Sequence, residues 1–134
     1  AAGGYFMYHN HAAEFKMFDG KLGMDYLTEA FAPREMGFTL DTHWVKVGGY
    51  EPVEWLNKLA GRTPCVHYKD LIVKDGKNYY APVGSGVLDF DAIIKTSIDN
   101  GVEYAFVEQD DCYGEDPYAC LKKSYEYLKS MGLN

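Results

Sequence analysis

Met36-Gly-Phe-Thr-Leu-Asp-Thr-His-Trp44 and, one helix-length later, Pro64-Cys-Val-His-Tyr-Lys-Asp70 are the stretches on which the fold turns. Each opens with apolar residues and ends abruptly in side chains that carry chemistry. Met36 to Leu40 reads as a strand running straight into Asp41-Thr42-His43-Trp44, and Pro64-Cys65-Val66 as one ending at His67-Tyr68-Lys69-Asp70. Between them Glu51-Pro52 opens a helix with proline in its first turn. Val53, Leu56 and Leu59 supply its apolar face, and Gly61 closes it. Strand, helix and strand in that order predict parallel strands covered by helices.

The same pattern extends outward in both directions. Upstream, Tyr5-Phe6-Met7-Tyr8 reads as a buried strand ending at His9-Asn10-His11. A short amphipathic helix, Met24 to Phe31, follows, with Met24, Leu27 and Phe31 on one face and Pro33 as its stop. Downstream, Leu71 to Val83 reads as an excursion hairpin, with the turn signal Asp75-Gly76 between Ile72-Val73 and Tyr79-Tyr80. Asp89 caps a helix carrying Phe90, Ile93, Ile94 and Ile98 on one face and ending at Asn100-Gly101. A fourth strand, Glu103 to Val107, delivers Glu108-Gln109-Asp110-Asp111. A last helix runs from Asp116 to Met131, with Tyr118, Leu121, Tyr125 and Leu128 on one stripe. The expectation is an α/β chain, residues 1–134 forming a single domain of four βα units.

Composition narrows the function classes. The 134 residues are 47% hydrophobic and 16% aromatic, enough to bury a core, and the formal net charge is −7. With Arg34 and Arg62 as its only arginines, the chain lacks the basic stripe that nucleic acid requires. No stretch approaches the roughly 18 to 20 apolar residues that span a bilayer, and no secretory leader pattern is visible. The cysteines Cys65, Cys112 and Cys120 are odd in number, form no CxxC and have no adjacent histidine. They fit a reducing cytoplasm and carry no sign of a nucleophile. The expected partner is a small molecule, neither nucleic acid nor membrane. The chain opens at Ala1-Ala2-Gly3-Gly4 without methionine, almost directly into a strand, as if it began partway through something larger.

The histidines, His9, His11, His43 and His67, all lie at or near strand ends. In a parallel α/β sheet the carboxyl ends of the strands form the ligand face. Carboxylates and imidazoles gathered there from several strands suit a divalent cation. Asp41, His67 and Glu108, completed by Glu14 or a histidine of the first strand, would form such a set. Lys69 could neutralise a substrate oxyanion or phosphate, or pair with Asp70. Trp44, Phe15 and Tyr113 are candidates for an apolar wall beside a sugar ring. Gly84-Ser85-Gly86 reads as a tight exit turn from the hairpin, with a phosphate cradle ahead of the Asp89 helix as the alternative. It matches neither the dinucleotide fingerprint nor the P-loop.

Taken in order, Tyr8-His-Asn-His-Ala-Ala-Glu-Phe15, Leu40-Asp-Thr-His-Trp44, Val66-His-Tyr-Lys-Asp70, Pro82-Val-Gly-Ser-Gly-Val-Leu-Asp-Phe90 and Val107-Glu-Gln-Asp110 resemble the sugar phosphate isomerase/epimerase family with the xylose isomerase-like TIM barrel. The resemblance runs over essentially the whole chain. It implies the C-terminal half of a (β/α)8 barrel with one divalent metal ion, manganese, magnesium, cobalt or zinc, at the C-terminal face. Of the family's ligands, Asp41 matches the aspartate, His67 the histidine of the His-x-Lys-Asp motif, and Glu108 the last glutamate. Tyr8 stands about where the family carries its first ligand, so Glu14, His9 or His11 completes the sphere, or water does. His43 is one residue out of the commoner Asp-x-x-His spacing.

The resemblance implies a metal-dependent isomerase or epimerase of a sugar or sugar phosphate, acting by α-proton abstraction through an enediolate. Glu108 and Glu14 are the expected acid/base pair, and His9, His11, His43, Trp44 and Lys69 the expected substrate contacts. A dehydratase of inosose or dehydroshikimate type is the alternative on the same barrel, and an inactive half-barrel fragment the third reading. Eight βα units take roughly 250 residues. Four units would leave two open sheet edges, so a homodimer or a missing N-terminal half is expected.

Overall fold

The computed structural model describes residues 3–133; Ala1, Ala2 and Asn134 lie outside the described residues. In chain order the elements are β1 (Met7–His9), a 3-10 turn (Ala12–Phe15), β2 (Met17–Phe18), β3 (Lys21–Leu22), α1 (Gly23–Ala30), β4 (Gly37–Asp41), α2 (Thr42–Val47), α3 (Pro52–Lys58), β5 (Cys65–Tyr68), β6 (Asp70–Lys74), β7 (Lys77–Ala81), α4 (Phe90–Asp99), β8 (Tyr104–Val107) and α5 (Pro117–Ser130).

Four strands form one sheet in the order β1-β4-β5-β8, and every pairing is parallel. Side chains alternate along a strand, so the sheet divides its residues into two sets. Phe38, Leu40 and Val66 are fully buried, with Tyr68 nearly so, and they join Leu56, Phe90 and Ile93 in the core. Each such large apolar side chain contributes roughly 1.5–3 kcal/mol on burial. The alternate residues, His9, Asp41 and His67, fall on the other face, where Asp41 is paired with His67 and His67 with Phe106.

The expected order of strands and helices is present, with shifted boundaries. β1 begins at Met7, because its pairing with β4 starts at Met7 opposite Gly37; Tyr5 and Phe6 precede it and are exposed rather than buried. β5 continues through His67 to Tyr68, so His67 lies within the strand, held by its ladder to β4 and β8. α2 was not anticipated: the Asp41 carboxylate accepts from the Trp44 amide and starts a helix directly at the end of β4. The small β2–β3 ladder was also missed, although Asp19 and Gly20 both have positive φ (47° and 84°), as Asp75 and Gly76 do in the recognised β6–β7 hairpin (51° and 71°). Asp89 caps α4 as the sequence indicates, and Asp116, where the last helix is expected to begin, proves to be the cap of α5. At the end of the sheet opposite the strand termini, the Arg62 guanidinium donates to the carbonyls of Thr28, Phe31 and Met36 and ties α1 to the entry of β4. Among the described residues no helix is long and apolar enough to cross a membrane.

The Gly84-Ser85-Gly86 turn is held by one carboxylate. Asp70 is fully buried, its Oδ2 accepts from the amides of Gly84 (3.0 Å) and Gly86 (2.8 Å), and its Oδ1 accepts from those of Leu71 (2.8 Å) and Leu88 (3.3 Å). A Cβ on Gly86 would lie 2.3 Å from Asp70 Oδ1, so the close approach requires glycine. Asp70→Ala leaves these four amides without their acceptor and is expected to cost about 2–4 kcal/mol. Urea denaturation measures this, and an unchanged midpoint would remove the anchoring role.

Candidate functional site

The strand ends bring His9, Asp41, His67 and Glu108 together, with one candidate donor atom from each lying within 4.8 Å of all the others. The nearest contacts are His9 Nε2 to Asp41 Oδ2 at 3.2 Å and His67 Nδ1 to Glu108 Oε2 at 3.1 Å; His67 Nδ1 lies 4.0 Å from Asp41 Oδ2. Asp41 divides its two oxygens between tasks. Oδ1 caps α2 and Oδ2 faces the cluster, while Asn10 fixes the backbone by accepting from the Asp41 amide at 2.9 Å.

Of the expected ligands, Asp41, His67 and Glu108 are in this cluster and Glu14 is not. Its carboxylate accepts from the Tyr8 hydroxyl and from the His11 amide at 3.0 Å, bracing the turn that follows β1. Burial first, and then Glu14, push the Tyr8 hydroxyl up to about 12. The fourth place falls to His9 through alternation along β1: Tyr8 packs against the core, so its neighbour faces the site. His11 stands beside the cluster, its ring 4.8 Å from His9 and 5.4 Å from Trp44 between centroids.

Lys69, 2% exposed, supplies the positive charge. Its Nζ lies 2.7 Å from Asp110 Oδ1, 3.1 Å from Glu108 Oε2 and 3.8 Å from Asp41 Oδ2. It pairs with these carboxylates and not with Asp70, whose oxygens are occupied by the glycine turn. Burial works against the ammonium, but the bond to Asp110 and the charges of Asp41 and Glu108 outweigh it and raise the Lys69 pKa. Burial would likewise raise Glu108, yet Lys69 and His67 outweigh it and hold the carboxyl below its usual range. The bond to Asp41 is the leading reason that the His9 pKa rises.

The wall of the site differs from expectation in two residues. Phe15 does not reach it: the 3-10 turn folds the ring into the core, edge-on to Trp55 at 5.2 Å, where it is 4% exposed. Tyr80, which sequence reasoning missed, does reach it. The β6–β7 hairpin returns Tyr80 to the site, where its ring stacks on His43 (4.7 Å, 29°) and on Tyr113 (6.4 Å, 15°) and lies 5.1 Å from Lys69 Nζ. The signal was the aromatic pair Tyr79-Tyr80 on a strand returning toward the site. His43 is buried, its Nδ1 3.3 Å from the Asp70 carbonyl, and burial lowers its pKa. Trp44 is half-buried, edge-on to both His43 and Tyr80.

Two imidazoles and two carboxylates in contact distance suit a borderline divalent cation such as manganese, cobalt, iron or zinc. Donors in ion-pair contact around 3 Å apart fit metal–ligand bonds of roughly 2 Å.

No protein-family model matches the chain. An inosose dehydratase from Geobacillus kaustophilus (strain HTA426) is 29% identical over 143 aligned positions, spanning 93% of this chain and 46% of that enzyme. A solved sugar phosphate isomerase/epimerase from Parabacteroides distasonis superposes with a TM-score of 0.81 at 28% identity, covering 96% of this chain and 46% of that one. A xylose isomerase domain protein from Planctomyces limnophilus superposes at 0.70 with 18% identity, over 96% of this chain and 45% of that one, a likeness of fold alone. This chain spans about half the length of the relatives it matches.

Proposed function

From a chain that shares the xylose isomerase-like fold of sugar phosphate isomerases/epimerases as a half-barrel, we propose a metal-dependent isomerase or epimerase that removes the proton α to a sugar carbonyl. The observation that carries the proposal is the His9, Asp41, His67 and Glu108 cluster with the Lys69 ammonium against Glu108. These four side chains would hold the ion. A divalent cation there supplies Lewis-acid polarisation of a carbonyl and its neighbouring hydroxyl. Glu108, kept ionised by Lys69 and His67, takes the α-proton, and Lys69 holds its carboxylate in position through the 3.1 Å contact. Glu14, committed to Tyr8 and His11, keeps the histidine-bearing turn in place. His11 and Trp44 would contact the substrate, and Tyr80 completes the wall, backed by the buried His43 ring on which it stacks.

Incubation with manganese and a set of ketoses in deuterated water tests the reading: deuterium should appear at the carbon next to the carbonyl. The dehydratase relative, matching 93% of this chain, favours a second outcome, in which the same proton abstraction is followed by loss of a β-hydroxyl. An unsaturated product absorbing in the ultraviolet identifies that reaction. Absence of manganese binding by calorimetry would sink both and leave an inert half-barrel.

A further inference from the structure

The backbone ladder of the sheet stops short of the site. β4 and β5 pair as far as Asp41 opposite His67, and beyond that register the chain turns away at Lys69 to enter β6 at Asp70. Lys69 is nonetheless buried, so its amide and carbonyl need partners there. One side chain provides them. The Thr42 hydroxyl accepts from the Lys69 amide at 3.0 Å, donates to the Lys69 carbonyl at 2.9 Å and lies 3.2 Å from the His67 carbonyl. Thr42 is fully buried and is the first residue of α2. Asn10 does similar work one strand over. Past the last β1–β4 pair, His9 opposite Thr39, its side-chain amide bonds both the amide and the carbonyl of Asp41, at 2.9 and 3.4 Å.

The Thr42 bonds matter because of the side chains carried by the backbone they hold. His67 places Nδ1 3.1 Å from Glu108 Oε2, and Lys69 places Nζ 3.1 Å from Glu108 and 2.7 Å from Asp110. Glu108 is tied to the same strand end, its amide donating to the Tyr68 carbonyl at 3.2 Å. A displacement of that strand end by ~1 Å would carry these contacts beyond hydrogen-bond length.

We propose that Thr42 is a positioning residue: its hydroxyl takes over where the β4–β5 ladder ends and sets where His67 and Lys69 stand relative to Asp41 and Glu108. Valine has the same shape but would leave a buried amide and carbonyl without partners, which they regain only if the strand end moves. The inference rests on the metal reading above and deepens it, adding a residue whose own oxygen is taken up by backbone.

Manganese titration of Thr42→Val and Thr42→Ser, with metal-free hydrogen exchange followed by NMR, tests it. Valine should weaken manganese binding about ten- to a hundredfold, the cost of losing groups that orient ligands, and serine should keep it within about threefold of the parent. Without metal, the Lys69 amide should lose its protection in Thr42→Val and retain it in Thr42→Ser. Ser124→Ala separates positioning from stability. That buried hydroxyl holds the Val83 amide at 2.9 Å and none of the four clustered donors, so its loss should lower the unfolding temperature and leave manganese affinity within about threefold. Thr42→Val binding manganese within about threefold of the parent, or Ser124→Ala losing as much affinity as Thr42→Val, would overturn the proposal. Should valine prevent folding, the parent protein decides alone: its Lys69 amide should exchange at least about a hundredfold more slowly than an unprotected amide, and exchange at the free rate overturns the bond. A parent that binds no manganese removes the proposed function, while the exchange patterns still show whether Thr42 holds the strand end.

Discussion

Glu108→Gln is expected to lower α-proton exchange by roughly a thousandfold or more, the scale on which a positioned general base contributes. The substitution keeps size and shape and removes the charge. Glu108 stands at the end of β8 with its side chain 38% exposed, and Lys69 retains Asp110 at 2.7 Å, so the fold has little reason to suffer. Deuterium incorporation followed by NMR, beside a thermal unfolding curve, separates chemistry from stability. Exchange within tenfold of the parent protein would mean that another group takes the proton. Manganese affinity should also fall, because the same carboxylate is one of the four clustered donors.

Asp41→Asn should weaken manganese binding about a hundredfold or more, since it removes the charge of one of the four proposed ligands and losing even the groups that support ligands costs ten- to a hundredfold. Asparagine still accepts the Trp44 amide and so preserves the start of α2, whereas alanine would add the loss of the helix cap, about 1 kcal/mol. Calorimetry with manganese gives the affinity and urea denaturation the stability. Glu14→Gln serves as the contrast: with its carboxylate on Tyr8 and His11, it should leave manganese affinity within about threefold. A loss as large as that of Asp41→Asn would return Glu14 to the metal sphere.

The sequence determined by itself whatever depends on local pattern. Apolar runs ending in polar residues located the four main strands, helical spacing and the Asp89 cap located the helices other than α2, and Asp75-Gly76 located the hairpin. Asp41, His67 and Glu108 were legible because each lies at or within one residue of the end of a strand. Tertiary structure decided what depends on which side of an element faces which neighbour. Alternation along a three-residue edge strand put His9 rather than Glu14 with the other donors, and a 3-10 turn sent Phe15 into the core. The hairpin carried Tyr80 back onto His43, a pair 37 positions apart in the chain. Asp70 reached across 14 to 18 residues to close the glycine turn that its own sequence leaves open to phosphate. Local spacing can say which groups arrive at the ligand face; only the packed backbone says which of them are already bound to one another.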